Sequence, residues 1–164
     1  MKEMQMILKN KNGDVFLEFL RVPESEASSF EPLTHSLIVA MYEGKSLIIN
    51  NREKGHWELP GGRIDPGETP RECAVRELKE EANQRIPLED VEFLGVMKFD
   101  LMPDPWNKAS HLEYGALYRA KVIYPEDFTP NNEASAICFW NGTEDVGEID
   151  DIDKKLIEMA QLDT

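Results

Sequence analysis

From Gly62 to Thr69 the chain reads as a glycine loop, and from Pro70 to Ala82 as a helix that carries three carboxylates, Glu77, Glu80 and Glu81. No other stretch constrains the fold so closely. Thr69 suits the N-cap, Pro70 the first helical position, and Glu72 falls where a capping box needs it. Ala74, Val75, Leu78 and Ala82 form an apolar stripe for packing on a sheet. Asn83 suits the left-handed residue that ends a helix, and Pro66-Gly67 the centre of a type II turn. Glu77, Glu80 and Glu81, spaced i, i+3 and i+4, share the other face. Like charges at that spacing cost about 0.2–0.5 kcal/mol, and acids near a helix C-terminus about 0.3–1 kcal/mol each. A divalent cation relieves both costs; a solvated acidic face is the plain alternative.

The chain has 164 residues, 41% of them hydrophobic and 30% charged, which suits one globular domain over residues 1–164 with a core that needs no disulfide or metal staple. Its N-terminus lacks the apolar segment of a signal peptide, and no apolar run approaches the ~20 residues of a membrane span; the cytosol is the expected compartment. Cys73 and Cys138 read as buried structural thiols. A net charge of −14 argues against a nucleic-acid polymer or a membrane surface as partner, because both require basic patches. A small anionic substrate stays possible if metal ions bridge it to the carboxylates. A monomer or homodimer is expected.

Met4–Leu8 and Val15–Leu20 flank the turn signal Asn12-Gly13-Asp14 and predict a hairpin. Pro23–Pro32 reads as a surface loop. Leu37–Tyr42 and Leu47–Ile49 are continuous apolar runs around Glu43-Gly44-Lys45, a second hairpin whose strands are buried on both faces and lie near the centre of the sheet. Val91–Met97, Tyr114–Ile123 and Ala136–Trp140 predict further strands. Asp150 or Asp151 can cap a last helix with Ile152, Leu156, Met159 and Ala160 on one face. Strands, helix, strands, helix predict helices packed on a mixed sheet.

Gly62, five residues, Glu68, seven residues, then Arg76-Glu77-Leu78-x-Glu80-Glu81 resembles the Nudix box, G-x5-E-x7-R-E-U-x-E-E-x-G-U with U aliphatic. Trp57-Glu58-Leu59-Pro60-Gly61-Gly62 looks like the entry segment common in that family. The pattern departs in its last two places, where Asn83 and Gln84 replace Gly and the aliphatic residue. Asn can hold the left-handed cap, and Ile86 is positioned to supply the missing apolar contact.

The resemblance implies an α/β/α sandwich with a mixed β-sheet, and a hydrolase that splits a nucleoside diphosphate linked to another moiety using Mg2+ or Mn2+. Within the family the short build is most like the MutT-type nucleoside triphosphate pyrophosphohydrolases. These act on substrates such as oxidised dNTPs, releasing the monophosphate and pyrophosphate. ADP-ribose, dinucleoside polyphosphates and RNA 5′ ends stay open as substrates. A non-catalytic nucleotide-sensing module is the alternative from another class. A diphosphate isomerase on this fold would need a catalytic cysteine upstream of the box, and neither cysteine stands there.

By the same resemblance Glu80 and Glu81 are metal ligands, Glu77 is a ligand or the general base, and the Gly61 carbonyl completes the sphere. Glu133, just before a strand, is the first candidate base outside the box, followed by Asp100 and Asp104. Arg76 and Glu68 resemble the family's salt bridge that orients loop against helix; a local pairing of Arg76 with Glu72 is the alternative. Arg52 and Lys54 are candidate phosphate contacts or plain solvated charges. Trp106 is a candidate base-stacking residue, with core packing or loop anchoring as its other reading. Trp57 and Trp140 read as packing residues.

Overall fold

The structure, a computed structural model, describes residues 6–162. Strands β1 (Leu8–Lys9), β2 (Val15–Leu20), β3 (Leu33–Tyr42), β4 (Lys45–Asn51), β5 (Trp57–Glu58) and β6 (Gly61–Arg63) precede helix α1 (Pro70–Ala82). Strands β7 (Glu92–Leu101), β8 (His111–Lys121) and β9 (Ala134–Trp140) precede helix α2 (Asp151–Leu162). Met4 and Gln5 of the first expected strand lie outside the described residues; Leu8 pairs with Phe16 and closes the expected hairpin.

The sheet runs β1-β2-β7-β8-β3-β4-β5, with β6 added to β3 and β9 to β4. β3 and β8 are parallel and the other pairs antiparallel, so the sheet is mixed. β3 is bonded along both edges, as expected of a strand near the sheet's centre. Residues of β3 and β4 alternate between two cores, as a continuous apolar run must when both faces are covered. Ile38, Ala40, Leu47 and Ile49 join Ala74, Leu78 and Ala82 of α1 on one side. Val39 and Ile48 join Ile152, Leu156 and Ala160 of α2 on the other. The result is the α/β/α sandwich. Each fully buried leucine in it, Leu78 for example, contributes about 1.5–3 kcal/mol.

The bounds of α1 follow the local chemistry. Thr69 Oγ1 accepts the Glu72 N–H at 3.1 Å, and Glu72 Oε1 accepts the Thr69 N–H at 2.9 Å. Asn83 ends the helix at φ 56°. Gly67 at φ 81° and the Glu68 N–H to Asp65 carbonyl bond make the expected type II turn. At α2, Asp150 is the cap: its Oδ1 accepts the N–H groups of Ile152 and Asp153 at 2.9 and 3.2 Å.

Two expectations need correction. Pro23–Pro32 is not a plain surface loop, because Glu24–Ser29 forms a 3-10 helix with Ala27 buried. Arg71 of α1 grips Glu24 through two bonds of 3.1 and 2.7 Å, and the Tyr118 hydroxyl donates to it at 2.9 Å. The glycine stretch likewise begins as strand rather than loop, since Gly61–Arg63 pairs with β3. A Cβ at Gly61 would stand 2.3 Å from the Ser36 carbonyl, so only glycine allows that approach.

Candidate active site

Helix α1 carries Glu77 and Glu81 inward, where they are only 8% and 5% exposed. Glu133, from the turn that leads into β9, reaches the same place, and the three carboxylates offer oxygens within 4.8 Å of one another. Glu80 is not in this group. It points to the exposed side and accepts from Arg76 at 3.1 Å. The helix explains the split: consecutive residues are about 100° apart, so Glu80 and Glu81 fall on opposite sides of Glu77.

The glycines admit these carboxylates. The Gly61 N–H donates to Glu81 Oε1 at 2.8 Å, and a Cβ at Gly62 would lie 2.6 Å from Glu77 Oε1. The backbone bonds Ile38 N–H to Pro60 carbonyl and Ile64 N–H to Thr34 carbonyl make Leu37–Gly61 a non-hydrogen-bonded pair. The polar backbone groups of Gly61 therefore turn away from β3, N–H and carbonyl alike, onto the side where Glu81 stands. Burial, against the Gly61 N–H, pushes the Glu81 carboxyl up to about 9, with Glu77 and Glu133 adding to the rise. Burial also raises Glu77, against the Arg76 guanidinium beside it. Converging carboxylates, with Glu77 and Glu81 held against ionisation by burial, next to a backbone carbonyl, are a donor set suited to a hard cation such as Mg2+ or Mn2+.

Arg76 ties the loop to the helix. Its Nε and a terminal nitrogen reach both oxygens of Glu68 at 2.7 and 3.0 Å, the other terminal nitrogen meets Glu77 at 2.8 Å, and the Arg63 carbonyl accepts at 3.0 Å. Glu72 is occupied by the capping box, so the Arg76 contacts run to Glu68 and not to Glu72. Cys73 lies beneath this loop, its thiol 3.4 Å from the Gly62 carbonyl and pushed up to about 12 by burial; it is an inert packing group. Cys138 is half-buried and packs in the α2-side core.

Arg52 is a clip on the turn that carries Glu133: its N–H donates to the Glu133 carbonyl at 2.8 Å and its Nε to the Asn131 carbonyl at 2.9 Å. Lys54 pairs with Glu58 at 3.7 Å and lines a cleft of about 280 Å³ that extends from Gly61–Arg63 past His35, Phe99 and Asp153. Burial drives the His35 imidazole down to about 4 and holds the Asp153 carboxyl well above the usual range. Leu59 N–H donates to Asp153 at 2.8 Å.

Trp106 is not core: it is 65% exposed, with the Arg63 guanidinium stacked over its ring at 4.3 Å. Trp140 is buried, and Trp57 is half-buried with its indole N–H on the Val146 carbonyl. Asp100 lies in the β2–β7–β8 ladder and Asp104 pairs with His111 at 3.3 Å; neither belongs to the Glu77–Glu81–Glu133 group.

Sequence reasoning missed a second convergent group, Asp104, His111 and Glu113, and the half-buried Asp153. The spacing of His111 and Glu113, two apart on one face of β8, was a signal for the first. For Asp153 the signal was an acid one turn behind a helix cap.

Residues 33–161 match the family model of the NUDIX domain. Among curated relatives, a putative 8-oxo-dGTP diphosphatase of Bacillus subtilis is 27% identical over 128 residues, 68% of this chain and 82% of that protein. An RNA pyrophosphohydrolase of Erythrobacter litoralis is 49% identical over 43 residues, 26% of each chain. This chain spans less than half the length of most curated relatives it matches. Of solved structures, the Bacillus subtilis pyrophosphohydrolase BsRppH superposes with a TM-score of 0.71 at 18% identity, over 98% of this chain and 94% of that one. With the box residues held as described and most of its length matched, the chain belongs to the NUDIX domain family.

Proposed function

We propose that this protein hydrolyses a pyrophosphate linkage in a nucleoside diphosphate-X compound, and that its substrate is a nucleoside triphosphate such as an oxidised dNTP, released as monophosphate and pyrophosphate. The observation that carries the reading is the convergence of Glu77, Glu81 and Glu133 beside Gly61. In this reading the three carboxylates and the Gly61 carbonyl hold Mg2+ or Mn2+. When bound, the ion neutralises phosphoryl oxygens and acidifies a water.

The remaining steps belong to the chain's own groups. Arg76 and Glu68 fix the Gly62–Glu68 turn against α1, so that the backbone faces the phosphates without rearrangement. Water oxygen bonds to phosphorus as the bridging P–O bond breaks, and the bond pair leaves with the pyrophosphate. Glu133, the exposed member of the cluster, receives the water proton. The cleft past His35 and Phe99 takes the nucleoside end. A small nucleotide fits the charge of −14 better than an RNA 5′ end, whose polymer backbone would be repelled. The name of the Bacillus subtilis 8-oxo-dGTP diphosphatase supports the same substrate class.

The test is a panel of 8-oxo-dGTP, unmodified dNTPs, ADP-ribose, a dinucleoside tetraphosphate and 5′-triphosphorylated RNA, assayed with Mg2+ and with products identified. The triphosphates should yield monophosphate and pyrophosphate fastest. Tight binding of one member without turnover of any would establish a sensing module instead. Comparing Glu77→Gln with Glu133→Gln tests the proton acceptor: the larger loss in kcat should fall on Glu133→Gln.

A further inference from the structure

The two departures from the box, Asn83 and Gln84, have a structural role that the helix alone does not require. Residues 122–133 join β8 to β9 with no regular secondary structure, and Glu133 is at their end. The exit of α1 holds this segment by side chains. Gln84 is 1% exposed; its amide donates to the Glu126 carbonyl at 2.9 Å and accepts the Glu126 N–H at 2.9 Å, a two-point clamp of the kind one strand makes on another. Its second amide hydrogen goes to the Ala82 carbonyl at 3.1 Å. The Asn83 amide donates to the Asp127 carbonyl at 2.7 Å.

Asn131 completes the hold. Its amide donates to the Glu80 and Glu81 carbonyls at 3.3 and 3.1 Å, and its Oδ1 accepts the N–H groups of Glu133 and Ala134 at 2.9 and 2.8 Å. The Glu80 and Glu81 carbonyls, in the last turn of α1 where intrahelical partners run out, are thus bonded to the turn that aims Glu133. The apolar contact that the pattern assigns to position 84 is made by Ile86, 6% exposed in the α1-side core, which leaves position 84 open to a polar residue. An aliphatic side chain there would leave the Glu126 N–H and carbonyl without their partner.

We infer that Gln84, with Asn83 and Asn131, is a positioning residue: it docks residues 126–133 on the end of α1 so that the Glu133 carboxylate stands with Glu77 and Glu81 at the cation site. This rests on the reading that those carboxylates hold a divalent cation. Gln84 touches neither ion nor substrate and acts through Glu133.

The test uses the full chain and Mn2+ alone. Wild type, Gln84→Leu, Glu133→Gln, the double variant and Glu81→Gln are compared by Mn2+ titration and by amide hydrogen exchange. Gln84→Leu restores the family's apolar residue and should stay folded. In it, exchange should rise across residues 126–134 and not in α1. Mn2+ affinity should fall within the 10- to 100-fold range typical of residues that orient metal ligands, and the double variant should bind no worse than Glu133→Gln. Unchanged exchange in Gln84→Leu overturns the docking. Raised exchange with wild-type affinity, or additive losses in the double variant, overturns action through Glu133. Wild-type affinity in Glu133→Gln alongside loss in Glu81→Gln removes Glu133 from the cation site and the positioning role with it. Wild-type affinity in Glu81→Gln as well refutes the cation site itself.

Discussion

A step of about 100° around α1 separates Glu81, sealed against the Gly61 N–H, from Glu80, half-exposed and held by Arg76. The two should respond differently to the same change. Glu81→Gln should lower kcat/KM by more than roughly 100-fold, beyond what residues outside the coordination sphere cost, whereas Glu80→Gln should lose less; steady-state kinetics with Mg2+ checks both. His35 supplies a pH signature. Burial holds its folded pKa near 4 against an ordinary 6.5, so between those values the unfolded chain binds the extra proton. The stability that His35 contributes is therefore full above about pH 6.5 and is lost as pH falls toward 4, by on the order of 3 kcal/mol. Glu81 and Asp153, whose carboxyls are raised in the fold, gain stability over the same fall in pH, so the His35 contribution is read as a difference: between pH 7 and pH 4.5 in urea titrations, the wild type should lose stability relative to His35→Gln. At this scale the sequence displays contacts that are local. Thr69 with Glu72, and Arg76 with Glu68, lie within a few turns of chain, and their residue types at that spacing reveal them. Glu133 stood out as a candidate base, but its meeting with Glu81 across 52 positions depends on how β9 pairs with β4, which no local pattern encodes.

Among the elements, α1 organises its surroundings from both ends. At its first turn Arg71 spends its guanidinium on Glu24 and on the Leu88 and Val91 carbonyls. One side chain thus ties the Glu24–Ser29 3-10 helix and the 88–91 turn to the helix. Arg71→Met keeps the stem and removes the donors, and should cost about 2–3 kcal/mol, the scale of hydrogen bonds to a charged group; a lowered urea midpoint with an unchanged slope would register it. The ends of α1 were legible because caps are short-range chemistry. The 3-10 helix was not, because Ser- and Glu-rich sequence is ordinary loop composition and its order comes from Arg71, more than 40 positions away. β6 was hidden for a related reason: glycine has little strand preference, and Gly61 is in a strand because only glycine clears the Ser36 carbonyl.

Over the whole molecule, the sheet brings residues from β3, β6 and α1 and the turn before β9 to one acidic site and one adjoining cleft. The continuous hydrophobicity of β3 and β4 announced a sheet covered on both faces, and with it the sandwich. The strand order was not readable, since the parallel neighbour of β3 is β8, some 80 residues later, and pairing over such separations is set by the fold as a whole. Among the described residues no helix is long and apolar enough to cross a membrane. Among the described residues two groups of carboxylate and histidine ligands compete as cation sites, Glu77–Glu81–Glu133 and Asp104–His111–Glu113. Anomalous diffraction from crystals grown with Mn2+ decides between them most directly. A peak bonded to Glu77, Glu81, Glu133 and the Gly61 carbonyl is the predicted result. Density at Asp104–His111–Glu113 with none beside Gly61 would contradict it.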